Sequence, residues 1–256
     1  MQSARAASLP IAIPAAIATA WALAAAAQFT GSATFLHHHS LIERGPPLAV
    51  ALALFLLAWL VMIAAMMLPS SLPLIRMFSI AASTQSRSAL MIACFIAGYA
   101  VVWSAFGVLA FAGDVVLHRV VDRVAWLGAR PWIIGGSVLA IAGLFQFTPL
   151  KDACLRACRL PSNFLVRHYR RGARGAFELG YRHGLFCTGC CWALMLIGFA
   201  AGFASLWWMA ALTALMVYEK TASRGRAAVP VAGAVLLLWS AIIFAHPPWL
   251  LGNMHP

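Results

Sequence analysis

The residues with the most chemistry in this sequence lie between positions 183 and 202, in HGLFCTGCCWALMLIGFAAG. Cys187, Cys190, Cys191 and Met195 are separated by three, one and four residues. On a helix Cys187, Cys191 and Met195 form one stripe and Cys190 sits beside it. Three thiols and a thioether are soft ligands; such sets suit Cu(I), and thiolates also suit zinc. His183 stands one turn before Cys187. The plainer reading of the same residues is packing, because Cys and Met also serve as small or flexible apolar side chains at helix interfaces.

The other soft donors fall into three groups. Met62, Met66 and Met67 end an apolar run, with Met62 and Met66 on one helical face. Cys154 and Cys158 form an i,i+4 pair in the most polar part of the chain. His37, His38 and His39 are consecutive; they cannot share one helix face, and a polar loop accounts for them. The candidate metal ligands are therefore Cys187, Cys190, Cys191, His183, Met195, Met66, Met67, Cys154 and Cys158. Copper is favoured over zinc for this donor set.

The elements that must position these donors are membrane helices. Of the 256 residues, 63% are hydrophobic and 9% are charged, against about 25% charged in soluble proteins. The apolar runs are continuous and near the length of a bilayer crossing, which excludes an outer-membrane barrel with its alternating strands. The expected fold is an all-α polytopic transmembrane bundle in a single domain. Its roughly seven helices are expected near 10–29, 48–68, 88–112, 132–147, 185–201, 203–218 and 228–245, with a cytoplasmic loop over 148–184. The first run could also pass for a signal peptide, and we read it as a retained helix. Pro69 and Pro73 stop or kink the second. Gly198 and Gly202 form GxxxG, which permits close helix approach.

The net charge of +12 reads as membrane orientation, with no nucleic-acid motif present. With the N-terminus inside and the C-terminus outside, 14 of the 18 basic residues fall on interior segments. That bias is the positive-inside pattern. The run RHYRRGARG (167–175) is expected to lie against anionic lipid headgroups. In this topology the ends carrying Met66, Gln146, Lys151, His183, the three cysteines, Glu219 and Lys220 meet at the cytoplasmic side. Ionisable groups at membrane depth are normally paired, inward-facing or functional.

AMMLPSSLPLI (65–75), GYAVVW (98–103), QFTPLKDACLRAC (146–158), GCCWALM (189–195) and EK (219–220), taken together, resemble a bacterial family of uncharacterised integral membrane proteins predicted to bind metal. The resemblance covers most of residues 55–220. It implies a multi-pass inner-membrane protein with a metal site and no settled activity. Members often carry a Met and an Asn just after the glycine ending the fifth helix, where this chain has Ala204 and Ser205. If that Met is a ligand elsewhere, Cys191 or Met195 takes its place here.

Three functions fit the sequence. The first is copper handling or delivery to a membrane or periplasmic partner protein. Transport is less favoured, because little beyond Tyr99, Ser104 and Thr213 could line a polar path. The second is a membrane thiol–disulfide enzyme using Cys187 and Cys190, or an oxidoreductase built around a metal. The third is a structural subunit of a membrane complex. The six acidic residues support no paired catalytic carboxylates, and no phosphate loop or Ser-His-Asp set is present.

Overall fold

The computed structural model describes residues 10–30, 46–201 and 205–245, with backbone alone at 199–201. All regular structure among them is helical: α1 (Ala12–Phe29), α2 (Leu48–Met66), α3 (Leu68–Ala82), α4 (Ser88–Arg123), α5 (Ala125–Gly128), α6 (Pro131–Phe145), α7 (Pro149–Arg159), α8 (Pro161–His168), α9 (Ala173–Ala201), α10 (Leu206–Thr221) and α11 (Gly225–Ala245). Four of these, α1, α2, α4 and α11, are long and apolar enough to cross a membrane. A fifth crossing is formed if α6 and α7, bent by 65° at their junction, count as one broken span. His37, His38, His39 and Gly202 lie outside the described residues, as do residues 203 and 204 of the expected helix over 203–218.

Several segment limits differ from the sequence expectation. Residues 148–184 hold α7, α8 and the first turns of α9 where a loop is expected. The third expected helix continues past residue 112 to Arg123 as α4. Helices with charged faces do not register in a search for apolar runs, and both segments are of that kind. The expected helix over 48–68 ends at Met66, with α3 starting after Met67 alone.

That break has a local cause. Pro69 has no N–H, so the carbonyl of Ala65 loses its intrahelical donor. The indole of Trp21, from α1, supplies one instead, Nε1 donating to Ala65 O at 3.0 Å. The hydroxyls of Ser70 and Ser71 both donate to Met67 O, at 2.8 and 3.2 Å. The backbone at Met67 is thereby fixed, and the donors that follow it face inward.

The centre of the bundle is the crossing of α4 and α9. It is made close by glycine: a Cβ on Gly98 would collide with the Phe177 carbonyl, and one on Gly180 with the Phe95 carbonyl. Phe95 and Tyr99 then stack on His183, with ring centroids 6.1 and 5.6 Å apart. Trp59 of α2 donates to Trp103 O at 2.9 Å and lies over Gly107, tying α2 to the same face of α4.

On the other side α6 and α11 pair through Gly136, Gly143 and Gly233, where side chains of the facing helix fill the space a Cβ would take. Thr148 then turns the chain into α7, its hydroxyl accepting from Lys151 N at 3.2 Å with Pro149 in the first turn. Arg159 at the far end of α7 donates to Glu219 O and, at 2.8 Å, to Ala222 O, closing the carbonyl end of α10. At the exposed start of α9, Arg182 donates to Glu178 at 2.8 Å and holds its carboxyl below the usual range.

The α4–α9 crossing generates a first prediction. Gly180→Ala overpacks a backbone contact and is expected to destabilise the protein by about 1–3 kcal/mol. Gly135→Ala, whose methyl would meet nothing within 4 Å, is the control. Thermal unfolding in detergent should fall clearly for the first and stay unchanged for the second.

Candidate metal centre

The helical spacing of CxxCC brings its three thiols to one buried place, each 0 or 1% exposed. In the same helix Cys190 and Cys191 both donate to the carbonyl of Cys187, at 3.1 and 2.7 Å. Cys191 Sγ lies 3.6 Å from the Met67 thioether at the α2–α3 break. Cys190 Sγ lies 3.9 Å from Cys158 Sγ on α7. Two sulfurs held tetrahedrally by one ion at about 2.3 Å stand about 3.8 Å apart, so both pairs already have the separation that a shared ion demands. All six cysteines are free thiols.

Around these sulfurs lie groups of other kinds. Lys220, from the end of α10, is buried and donates to Cys187 Sγ at 3.2 Å and to Ser70 Oγ at 3.1 Å, with Cys191 Sγ at 4.0 Å. Tyr99 OH shares a hydrogen bond with Cys187 Sγ at 3.2 Å. The neighbouring Glu219 does not serve Lys220. It pairs at 2.6 Å with Lys151 of α7, and both side chains are 1% exposed. Among the described residues the groups that Lys220 Nζ meets directly are the Ser70 hydroxyl and the sulfurs of Cys187 and Cys191.

The nine candidate ligands do not all meet. Cys187, Cys190, Cys191, Met67 and Cys158 gather as described. Cys154 adjoins them from α7, fitting against Gly189, where a Cβ would come within 2.7 Å of its sulfur. His183 engages Ser71 Oγ through Nε2 at 3.0 Å, in a buried stack with aromatic rings. Met66 and Met195 line a separate small cavity together with Met62 and Met209. Among the described residues no three His, Cys, Asp or Glu side chains form a ready cage for an ion. Two thiols with a thioether suffice for a low-coordinate soft ion such as Cu(I), while structural zinc sites are closed by four ligands.

The sequence reading missed the direct role of Lys220 and the phenol of Tyr99. The signal was there in part: adjacent acid and base end an otherwise apolar helix. It reads equally well as the usual collection of charge at a helix end.

The structure is thus a helical bundle whose helices converge on buried thiols, a thioether and a buried ammonium. Residues 56–243 match the family described as copper chaperone, PpoB2, and the chain belongs to that family. Its role is thus copper-related, in keeping with the metal-related family expected from the sequence. Comparison with curated proteins and with solved structures finds no match.

The buried ion pair beside the site makes a second prediction. Lys151→Met leaves Glu219 without its cation and should destabilise by about 3–5 kcal/mol. Adding Glu219→Gln should recover most of that loss, because no lone charge then remains. Denaturant unfolding of the two variants in micelles measures the difference; equal stabilities would mean that the pair is not a coupled unit.

Proposed function

We propose that the protein is a multi-pass chaperone of the bacterial inner membrane that holds monovalent copper between Cys187, Cys191 and Met67 and passes it to a partner protein. The observation that carries this reading is Lys220. A buried ammonium is costly without an opposite charge, and here the groups in direct contact with it are a hydroxyl and two sulfurs. Two thiolates holding Cu(I) carry a net charge of −1. With Lys220 beside them the assembly is neutral, the state an apolar bundle tolerates best. A divalent ion on the same two thiolates would leave a net positive charge.

Exposure along the sulfurs gives a direction of access. Cys158 is partly exposed on amphipathic α7, and Cys190, 3.9 Å away, is buried. Copper arriving at Cys158 and Cys190 reaches Cys187 and Cys191 by exchanging one sulfur ligand for the next, without change of oxidation state. Each thiol that binds releases its proton. The basic residues of the 148–184 segment that carries Cys158, among them Arg167, Arg170, Arg171 and Arg174, support placing that segment on the cytoplasmic face against anionic headgroups. In that orientation the N-terminus is inside and the C-terminus outside.

A thiol–disulfide carrier is the second reading. The observation in its favour is the Cys158–Cys190 approach of 3.9 Å, a different pair from the CxxC of Cys187 and Cys190.

The test is anaerobic competition for Cu(I) against a chromophoric chelator, using full-length protein in mild detergent. Wild type should hold its tightest ion in a form that Cys187→Ser/Cys191→Ser weakens by 100-fold or more. Lys220→Met should weaken it by about tenfold, about 1.4 kcal/mol, through the lost counter-charge. Unchanged affinity in the double cysteine variant would remove the proposed site. A two-electron oxidation at Cys158 and Cys190 without copper binding would favour the carrier.

A further inference from the structure

Four of the ten methionines of the chain border one small cavity. Met62 and Met66 enter from α2, Met195 from α9 and Met209 from α10, with Gly198, Trp208 and Leu212 completing the wall. All four methionines are at most 7% exposed. The space is about 10 Å³, room for roughly one water-sized body. Methionine is the side chain that most readily fills irregular gaps, yet here four of them surround one that stays open. The lining offers almost no hydrogen-bonding groups, so a water there would lack the two to four polar partners that hold one. Four thioethers and an indole instead suit a soft monovalent cation, with the sulfurs as ligands and the Trp208 ring as a cation–π wall.

The cavity is linked to the thiol cluster by two steps of sequence. Met195 is one helical turn beyond Cys191, about 6 Å along the axis. Met66 adjoins Met67, whose sulfur is 3.6 Å from Cys191. We propose that this cavity is a second site for monovalent copper, built of thioethers and fed from the thiol site through Met67. The inference rests on the copper reading above. In the transfer the ion stays Cu(I), and each copper–thiolate bond that breaks is replaced by a copper–thioether bond. One vacated thiolate remains beside Lys220 and the other takes a proton from solvent. Thioethers are neutral, so the ion there keeps its full positive charge and is held more weakly than between thiolates. A weaker site further from the opening at Cys158 makes a transfer station of it, poised for release and not for storage.

Silver(I), a monovalent ion that does not change oxidation state, is the probe, titrated into full-length protein in micelles. Wild type should bind two silver ions of unequal affinity. Met62→Leu/Met195→Leu/Met209→Leu, a change that nearly conserves volume, should lose the weaker ion and keep the tighter. Cys187→Ser/Cys191→Ser should do the reverse, and selenomethionine labelling of that variant should reveal silver–selenium scattering in X-ray absorption. Thermal unfolding reports whether each variant is folded. A single ion in wild type, or a weaker ion that survives the triple change in folded protein, overturns the thioether site and leaves the thiol site standing. Loss of the tighter ion in no variant would instead overturn the thiol site.

Discussion

A buried ammonium that has no carboxylate is the constraint on which this bundle turns. Lys151 and Lys220 are both almost fully enclosed, and Glu219 precedes Lys220 on α10. It goes to Lys151 at 2.6 Å. Lys220 is left to Ser70 and to the sulfurs of Cys187 and Cys191. A lone buried charge is several kcal/mol uphill, so the packing around Lys220 favours an anion among the sulfurs. That requirement couples α3, α9 and α10 at one point. The same point is where soft ligands gather, so the electrostatic need of the fold and the chemistry of the site coincide.

The convergence depends on two backbone devices. Proline at 69 breaks the helix at Met67, and Trp21 takes up the carbonyl this leaves open. An unbroken helix would carry Met67, Ser70 and Ser71 past the site along a straight axis. The second device is glycine. Without bare backbone at Gly98 and Gly180, α4 could not lie close enough to α9 for Tyr99 to reach Cys187. Small residues are the usual means of close approach between helices that lack a hydrophobic drive to associate.

These devices explain which parts of the protein were legible in its sequence. Apolar runs identify helices whatever their neighbours, and the spacing of Cys187, Cys190 and Cys191 fixes their shared face before any tertiary contact is known. Pro69 announces its break through chemistry local to the chain. Residues 148–184 were not legible in this way, because α7 and α8 are amphipathic and their charges resemble those of a loop. Nor was the division of the donors into two groups. Cys158 joins Cys190 across 32 positions, and Met209 meets Met62 only through the packing of α10 beside α2. Spacing within one helix cannot encode such meetings. His183 differs again: its place in sequence suggests a ligand, and its imidazole meets Ser71 and the rings of Phe95 and Tyr99, contacts that sequence spacing does not encode.

The arrangement of donors also bears on why a chaperone would use such a set. A carrier must bind tightly enough to keep copper from water and loosely enough to give it up. On the proposed reading, thiolates beside a lysine would serve the first need, since the ammonium offsets the charge they carry. Thioethers serve the second, since they neither bind protons nor contribute charge. Met67 stands between the two kinds, touching Cys191 through its sulfur and preceded in the chain by Met66 at the cavity. Its backbone is the break between α2 and α3, held by hydroxyls of Ser70 and Ser71. Ser70 in turn receives the hydrogen bond of Lys220, and Ser71 that of His183. Hydrogen bonds thus run from the Cys187 sulfur through Lys220 and Ser70 to the carbonyl of Met67. Ligand exchange and backbone position are joined at a single residue.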